Sequence, residues 1–593
     1  MDIRFFDPNR TANASAWRVL PNRWDAVAFP LIIGILAMAI VGFHQTLAPI
    51  ATLQTQKISL DPSNLPEYAL RTTLRMLAAM VASLAFTLVY GTLAAKSRRI
   101  GMVLIPILDI LQSVPVLGYI SFTVTFFLAL FPGRVLGAEL AAIFAIFTSQ
   151  AWNMTFSFYQ SLRTVPRDLS EVSRGFHLTS WQRFWKLEVP FSMPGLIWNM
   201  MMSMSGGWFF VVASEAITVG NQTITLPGIG AYLAQAISDK NLGAVGWVIV
   251  AMSVVILAYD QFLFRPLVAW ADKFRMENTA SGDAPQSWLL DMMRRTHLIH
   301  QLLVPAGWLL SQAARIPLRA PSRNGARSRA ASVRGSSRIG DIVWGTFVIL
   351  ITVYVAWRVV SFVATGVTMA DVGHVLVLGL ITLLRVLGLI TLLRVLVLIA
   401  IASVVWVPLG VLIGLRPALA EKIQPLAQFL AAFPANLLFP VFVIVIVHFH
   451  LNADIWLSPL IVLGTQWYIL FNVIAGAMSY PNDYKEATKN FRIRGWQWWR
   501  QAILPGIFPY YVTGAITASG GAWNASIVSE FVQWGDTKVV AHGLGSYIAQ
   551  TTAAGDFPKI ILGIAVMSLF VTLFNRLLWR PLCAFAEAKL RLD

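Results

Sequence analysis

At 593 residues the chain could hold about three or four soluble domains, yet only 12% of its residues are charged, 57% are apolar and the mean hydropathy is +0.66. That composition excludes an ordinary soluble enzyme: the apolar residues fall in blocks of about 20, the length that crosses a ~30 Å hydrocarbon core as helix, so the chain reads as a polytopic membrane protein. The net charge of +17 sits in the short segments between blocks, which fits positive-inside topology better than a nucleic-acid partner, and the single cysteine, Cys583, excludes an intrachain disulfide or a multi-cysteine metal site.

The N-terminal MDIRFFDPNR carries Asp2 and Asp7, and the first apolar block, near 26–46, comes without a small-residue cleavage site, so that block is expected to be a retained helix. Further blocks follow near 72–95, 101–131, 136–160, 192–218 and 243–264, making six expected spans. The segments Arg4/Arg10/Arg18/Arg23, Lys96/Arg98/Arg99, Arg163/Arg167/Arg174/Arg183/Lys186 and Arg265/Lys273/Arg275 must share a side and are all basic, which puts both ends of this half in the cytoplasm. The opposite loops, 47–70 and 219–242, carry Asp61, Glu67 and Asp239 with only Lys57 and Lys240, and fit the outside.

From 276 to 338 the character changes to a short amphipathic stretch around Trp288–Leu310 and then PLRAPSRNGARSRAASVRGSSR; between Arg294 and Arg338 there are nine arginines and no acid. This reads as a flexible cytoplasmic linker that enforces topology and meets anionic head groups. Six more blocks follow near 340–366, 376–415, 424–450, 456–478, 503–532 and 558–580. The second is too long for one straight span because VLGLITLLR stands twice in tandem, at 377–385 and 386–394, a local duplication that extends or tilts a helix.

One offset of 315 residues joins Glu171 to Glu486, Trp181 to Trp496, Pro190 to Pro505, Pro194 to Pro509, Trp208 to Trp523, Ser214 to Ser529 and Glu215 to Glu530. It continues through Gly228, Gly230, Tyr232 and Gln235 to Arg265-Pro266-Leu267 and their partners. The expected architecture is therefore all-α and polytopic, two parallel six-helix repeats with about 12 transmembrane helices: residues 1–275, a basic linker at 276–338, and residues 339–593. A path between two such halves is the default pore or carrier geometry.

The loop between the fourth and fifth spans reads EVSRGFHLTSWQRFWKLEVPFSMP in one half and EATKNFRIRGWQWWRQAILPGIFP in the other. Trp181, Phe184 and Trp185, like Trp496 and Trp499, place large apolar groups on one side of a short amphipathic helix exposed to cytosol, a surface that wants a partner or, alternatively, lies on lipid. The two loops resemble the EAA loop of ABC importer permeases, and the SWQRFW/GWQWWR texture followed by SEA or SEF and then GIGAYLAQA or GLGSYIAQT looks most like the nitrate/sulfonate/taurine/bicarbonate branch. The resemblance covers most of each half. It implies a type I importer-like permease fold in a bacterial inner membrane with both termini cytoplasmic, two copies of an ABC ATPase subunit that bind ATP and Mg, an external solute-binding protein, and a small organic or inorganic anion as solute. It implies ATPase coupling through Glu171, Arg174, His177, Trp181, Phe184 and Trp185, and through Glu486, Lys489, Arg492, Trp496 and Trp499. The family's usual Gly position holds His177 and Arg492, so the bend, which glycine makes with positive φ, is expected elsewhere, at Gly175 and Gly495.

Glu215 and Glu530, each after a serine (Ser214, Ser529) near the outer end of a span, are candidates for a gate or for capping the following loop; two carboxylates do not suit direct contact with an anion. Trp208, Trp523, Gln150 and Gln466 are further candidates for the path, and Ser205-Gly206-Gly207 and Ser519-Gly520-Gly521 allow close helix packing. His448 and His450 lack carboxylate partners at ligand spacing and read as surface histidines, so no metal is expected. GTLAAKS at 91–97 lacks the glycine before lysine that a phosphate loop needs, and no hydrolase signature appears, so the chain is expected to be non-catalytic. An ion-coupled carrier of two parallel halves is the alternative, but Asp109 and Asp260, the latter matched by Asn575, support it thinly, and the duplicated Trp-rich loop favours the ATP-driven permease.

Overall fold

The computed structural model describes residues 58–274, 287–296 and 387–589 apart from positions 114, 115, 220, 221 and 479, with scattered residues elsewhere. The expected spans near 26–46 and 340–366, the Arg-rich part of the linker and the first copy of the tandem repeat lie outside these ranges. In the first half α1 (Leu65–Lys96), α2 (Arg98–Ser113), α3 (Val116–Leu130) and α4 (Val135–Arg163) are followed by a short helix α5 (Arg167–Gly175) and the long α6 (Val189–Ser214). Then come the hairpin β1–β2 (Ala216–Val219, Gln222–Thr225), α7 (Ile229–Ser238) and α8 (Leu242–Tyr259). The second half repeats the order with α9 (Leu387–Gly414), α10 (Pro417–Ala432), α11 (Phe439–His448), α12 (Gln466–Met478), α13 (Asn482–Asn490) and α14 (Leu504–Ser529). It ends with β3–β4 (Phe531–Trp534, Thr537–Val540), α15 (Leu544–Ala554) and α16 (Phe557–Phe574).

Among the described residues seven helices are long and apolar enough to cross a membrane, or eight if one bent pair is counted as a span. The chain is thus helical and polytopic, and two features depart from the block reading. The blocks near 101–131 and 424–450 are each two helices, α2 with α3 and α10 with the segment ending in α11; the second pair turns by 69°. The turn follows from Pro434, which lacks the N–H that would continue α10 and pushes Phe433 into extended backbone. The C-terminal ends of the fifth blocks leave the helix at Ser214 and Ser529 and pair as short antiparallel hairpins, in register Ala216↔Thr225 and Phe531↔Val540.

The repeat extends to irregularities. Wide π-type turns occupy Phe184–Glu188 and Asp260–Phe264 in one half and Trp499–Ile503 and Asn575–Trp579 in the other, at the same offset of the repeat. Asn241 and Asp556, also equivalent, cap α8 and α16 by accepting from the Ala244 and Lys559 N–H groups. Each half builds its own core, around Met76, Phe158, Trp208 and Tyr232 in the first and Ile469, Val473, Ala515 and Ala522 in the second. The halves then interlock reciprocally: α3 packs on α14 and α16, while α10 packs on α6 and α8, as a pseudo-two-fold relation requires.

Candidate functional site

A cavity of about 190 Å³ lies between the halves, bordered by Trp152 and Asn153 of α4, Ser205 and Gly206 of α6, Thr465 and Tyr468, and Gly520, Gly521 and Trp523 of α14. Its lining contains no Asp, Glu, Lys, Arg or His among the described residues. The small-residue runs supply the room. Gly206 and Gly521 border the space, whereas Gly207 is a packing position where a methyl group would meet the Gln150 amide and Met76 at 2.7 Å.

Of the path residues expected from sequence, Trp523 borders this cavity and the others sit elsewhere. Gln150 is fully buried in the first core, its amide donating to Met204 Sδ at 3.3 Å and accepting from the Ser83 hydroxyl at 3.3 Å. Gln466 accepts from Trp406 Nε1 at 3.0 Å. Trp208 stands edge-on to Tyr259 in the first core, and Ser214 donates to the Val211 carbonyl. Ser529 is buried.

Glu215 and Glu530 are buried at the starts of α7 and α15. Glu215 Oε2 accepts the Gly230 N–H at 2.6 Å, and its other oxygen accepts from Thr72 Oγ1 at 2.7 Å and Arg75 Nη1 at 2.6 Å. Thr72 also accepts the Ile229 N–H at 3.0 Å. Arg75 is satisfied on its other side by a two-pronged pair with Glu139, at 2.6 and 2.7 Å. Glu530 likewise accepts the Ser546 N–H at 3.1 Å. A side chain at Gly228 or Gly543 would overlap the carboxylate beside it, and one at Gly230 or Gly545 the carbonyl of Val212 or Ser526, which is why G-x-G stands there in both halves. Arg75 and Glu139 escape the block reading; the signal was charge inside an apolar run.

The loops between the fourth and fifth spans close identically. After α5, His177 N–H donates to the Arg174 carbonyl and Leu178 N–H to the Ser173 carbonyl; after α13, Arg492 and Ile493 donate to Lys489 and Thr488. This helix-ending motif requires a left-handed residue, and His177 and Arg492 take it, with φ of 51° and 52°. The bend is therefore made at the family's glycine position by non-glycine residues, and Gly175 remains helical; Gly495 adds a second positive φ of 59° in the second half. The apolar display also differs from the sequence expectation. Phe184 is buried and Trp185 and Trp499 are half-buried, so they anchor the loops; Phe176 (75% exposed), Phe491 (79%) and Trp496 (73%) face outward, with Glu171, Arg174, Glu486 and Lys489 exposed around them. Phe176 and Phe491 are repeat partners that the sequence reading passed over. Trp181 packs edge-on against Trp185. Beneath the first loop, Glu188 is held by Lys96 at the end of α1 (2.7 Å) and by Arg183 (3.0 Å).

The family model for "binding-protein-dependent transport system inner membrane component" matches the chain twice, over residues 87–265 and 406–578, more than half of its length. Among curated proteins, the bicarbonate transport system permease protein CmpB of Synechococcus elongatus is 27% identical over 176 residues, 30% of this chain and 60% of the relative. The nitrate import permease protein NrtB of Leptolyngbya laminosa is 25% identical over 180 residues, again 30% and 60%. The glycine betaine/proline betaine transport system permease protein ProW of Escherichia coli is 26% identical over 228 residues, 38% of this chain and 59% of the relative. The chain thus spans about 60% of the length of these relatives.

Proposed function

The chain belongs to the family of binding-protein-dependent transport system inner membrane components, and from that premise we propose that it is the permease of an ATP-driven importer with both permease halves, 1–275 and 339–593, joined by the linker 276–338. The loops at 171–185 and 486–500 dock two ATPase subunits, which bind ATP and Mg; the chain itself catalyses nothing. Both termini face the cytoplasm, and a solute-binding protein delivers the solute to the opposite face. The solute is a small anion, a reading supported by the likeness to bicarbonate and nitrate permeases. ATP-driven closure of the two ATPases moves both loops, and the path between the halves alternates its access.

The observation that carries this reading is the repeated loop. Two helix-ending motifs with the same hydrogen bonds hold Phe176 and Phe491 out at equivalent positions, a paired apolar display suited to two copies of one partner. The test is co-purification of the tagged chain with the ATPase subunits of its host. The intact chain is expected to bring down a stoichiometric ATPase, and Phe176→Ser with Phe491→Ser to lose it. An intact chain that captures no ATPase yet moves solute down an ion gradient in vesicles would establish the ion-coupled carrier instead.

A further inference from the structure

The segment that joins the halves is fastened to the first of them at two places. Its first described stretch contains a short helix, Trp288–Arg295, started by Ser287, whose hydroxyl accepts the Leu290 N–H. Leu289, Leu290 and Met292 are buried, and the Trp288 ring stands edge-on to Phe262 with centroids 5.8 Å apart, so this stretch packs on the C-terminal end of the first half's last span. The second place is the loop after the fourth span. Trp308, Ser311, Gln312, Ala314 and Arg315 are helical, and the helix stops at Ile316, the residue before Pro317, where the proline ring disfavours a helical backbone. The Arg315 carbonyl is thus among the last of its helix, with no helical N–H to meet it, and Gln182 Nε2 donates to it at 3.0 Å. The Gln182 side-chain oxygen accepts the Thr179 N–H at 3.0 Å, so one amide caps the loop helix Ser180–Arg183 and holds the linker.

The two loops are unequal as a result. Trp181 is half-buried beside Phe184 and Trp185, whereas its repeat partner Trp496 is 73% exposed, and Arg500 stands where Trp185 does. Gln497, the partner of Gln182, is exposed. The second loop therefore offers two outward rings, Phe491 and Trp496, and the first offers Phe176. The linker helix supplies another: Ser311 and Ala314 are half-buried, while Trp308, Gln312 and Arg315, at i, i+4 and i+7, share an exposed face. Trp308 stands about 10 Å along that helix from Arg315. We propose that the linker helix is part of the first docking surface, so that one ATPase subunit is held by loop and linker together and the other by its loop alone. This rests on the permease reading and adds to it a partner contact that the repeat does not supply. The exposed Arg174, Lys186 and Arg315 around these rings suit an apolar groove with an acidic rim on that subunit.

The test uses the full chain in lipid with its co-purifying ATPase subunits, and a photoreactive benzophenone side chain placed in turn at Phe176, Phe491, Trp308 and Ala314. The first three positions are expected to crosslink to an ATPase subunit, and the half-buried Ala314 position to crosslink within the chain. Gln182→Glu keeps the oxygen that caps the loop helix and removes the N–H that reaches Arg315. It is expected to lower the yield from the Trp308 position, relative to that from Phe491, by about five-fold, the weight of one ordinary hydrogen bond. Crosslinks to the ATPase from Phe176 and Phe491 but none from Trp308 overturn the inference and leave the permease reading standing. A Trp308 yield that Gln182→Glu does not move overturns it too, because the linker would then be a loose tether that meets the ATPase by chance. No crosslink to an ATPase from any position overturns the docking of ATPase on these loops, and this inference with it.

Discussion

A guanidinium 4% exposed inside an apolar helix persists only because its charge and its donors are met from both sides, and Arg75 meets Glu139 and Glu215 in that way. The network ties α1 to α4, α6 and the start of α7, so its loss is felt by the whole first half. Arg75→Ala would leave two buried carboxylates without a counter-charge, and a broken buried pair costs about 3–5 kcal/mol. We therefore expect Arg75→Ala to lower the melting temperature of the purified protein steeply, and Arg75→Ala with Glu139→Ala to recover part of the loss; equal melting of Arg75→Ala and the parent would show that the network carries no stability. The sequence made Glu215 conspicuous because it ends a span, but it left gate and cap open. What separates them is the position of Gly228 and Gly230 under the carboxylate, and that depends on how the hairpin returns, which hydropathy does not encode.

At the scale of elements, the apolar blocks located α1 to α4, α6 and α8 in the first half but not the short α5 and α7, because burial in lipid or core demands continuous apolar sequence. They did not locate bends, since averaging hydropathy over a window runs through a break that a single proline makes. Pro434 was the available signal. In the loops between the fourth and fifth spans, glycine would be the least strained occupant of the left-handed position, yet flanking hydrogen bonds hold His177 and Arg492 there. The left-handed conformation costs about 1–2 kcal/mol for a residue with a Cβ, and glycine's extra freedom when unfolded takes back about 0.5–1 kcal/mol. His177→Gly and Arg492→Gly should accordingly each stabilise the purified protein slightly, while the β-branched His177→Val should destabilise it. Thermal unfolding of the three variants reads the sign, and destabilisation by both glycines would mean that the side chains make contacts that outweigh the strain. The Lys96–Glu188 pair adds an asymmetry, because position 503, the repeat partner of Glu188, is Ile503. On the proposed function Glu188→Gln should reduce transport per ATP hydrolysed, whereas Ile503→Leu should not.

Taken whole, the molecule is two similar halves that have diverged where they touch on the face assigned to the outside. Lys240 reaches across to Asp536 at 2.9 Å, and the Gly535 N–H donates to the Ile237 carbonyl at 2.9 Å, so the β3–β4 turn of the second half is fastened to the end of α7 in the first. The residues of this fastening are not repeated in the sequence. Lys240 holds φ of 54°, where its repeat partner is Gly555 with φ of 69°, and the partner of Asp536 is Asn221. A lysine thus occupies a left-handed position that suits glycine, and its stem lies over Gly535, where any side chain would overlap it. The hydrogen bond and charge of Lys240 hold the Asp536 carboxyl below its ordinary range. A carboxyl lowered in the assembled state contributes to that state above the ordinary carboxylate range and stops contributing as pH falls below it, so the contact should persist through neutral pH and fail only in acid. Both groups are solvent-exposed, so 1 M salt, which shortens the screening length to about 3 Å, should weaken the contact at neutral pH as well. Hydrogen exchange of the 531–540 segment, corrected for intrinsic rates, reads both effects. Lys240→Glu should speed exchange, and Lys240→Glu with Asp536→Lys should restore protection, because the swapped pair keeps its attraction while either single change does not. If exchange ignores salt, acid and charge reversal alike, the hairpin is held by its packing across the halves, β1 against α15 and β3 against α7, and the ion pair contributes nothing to fastening them.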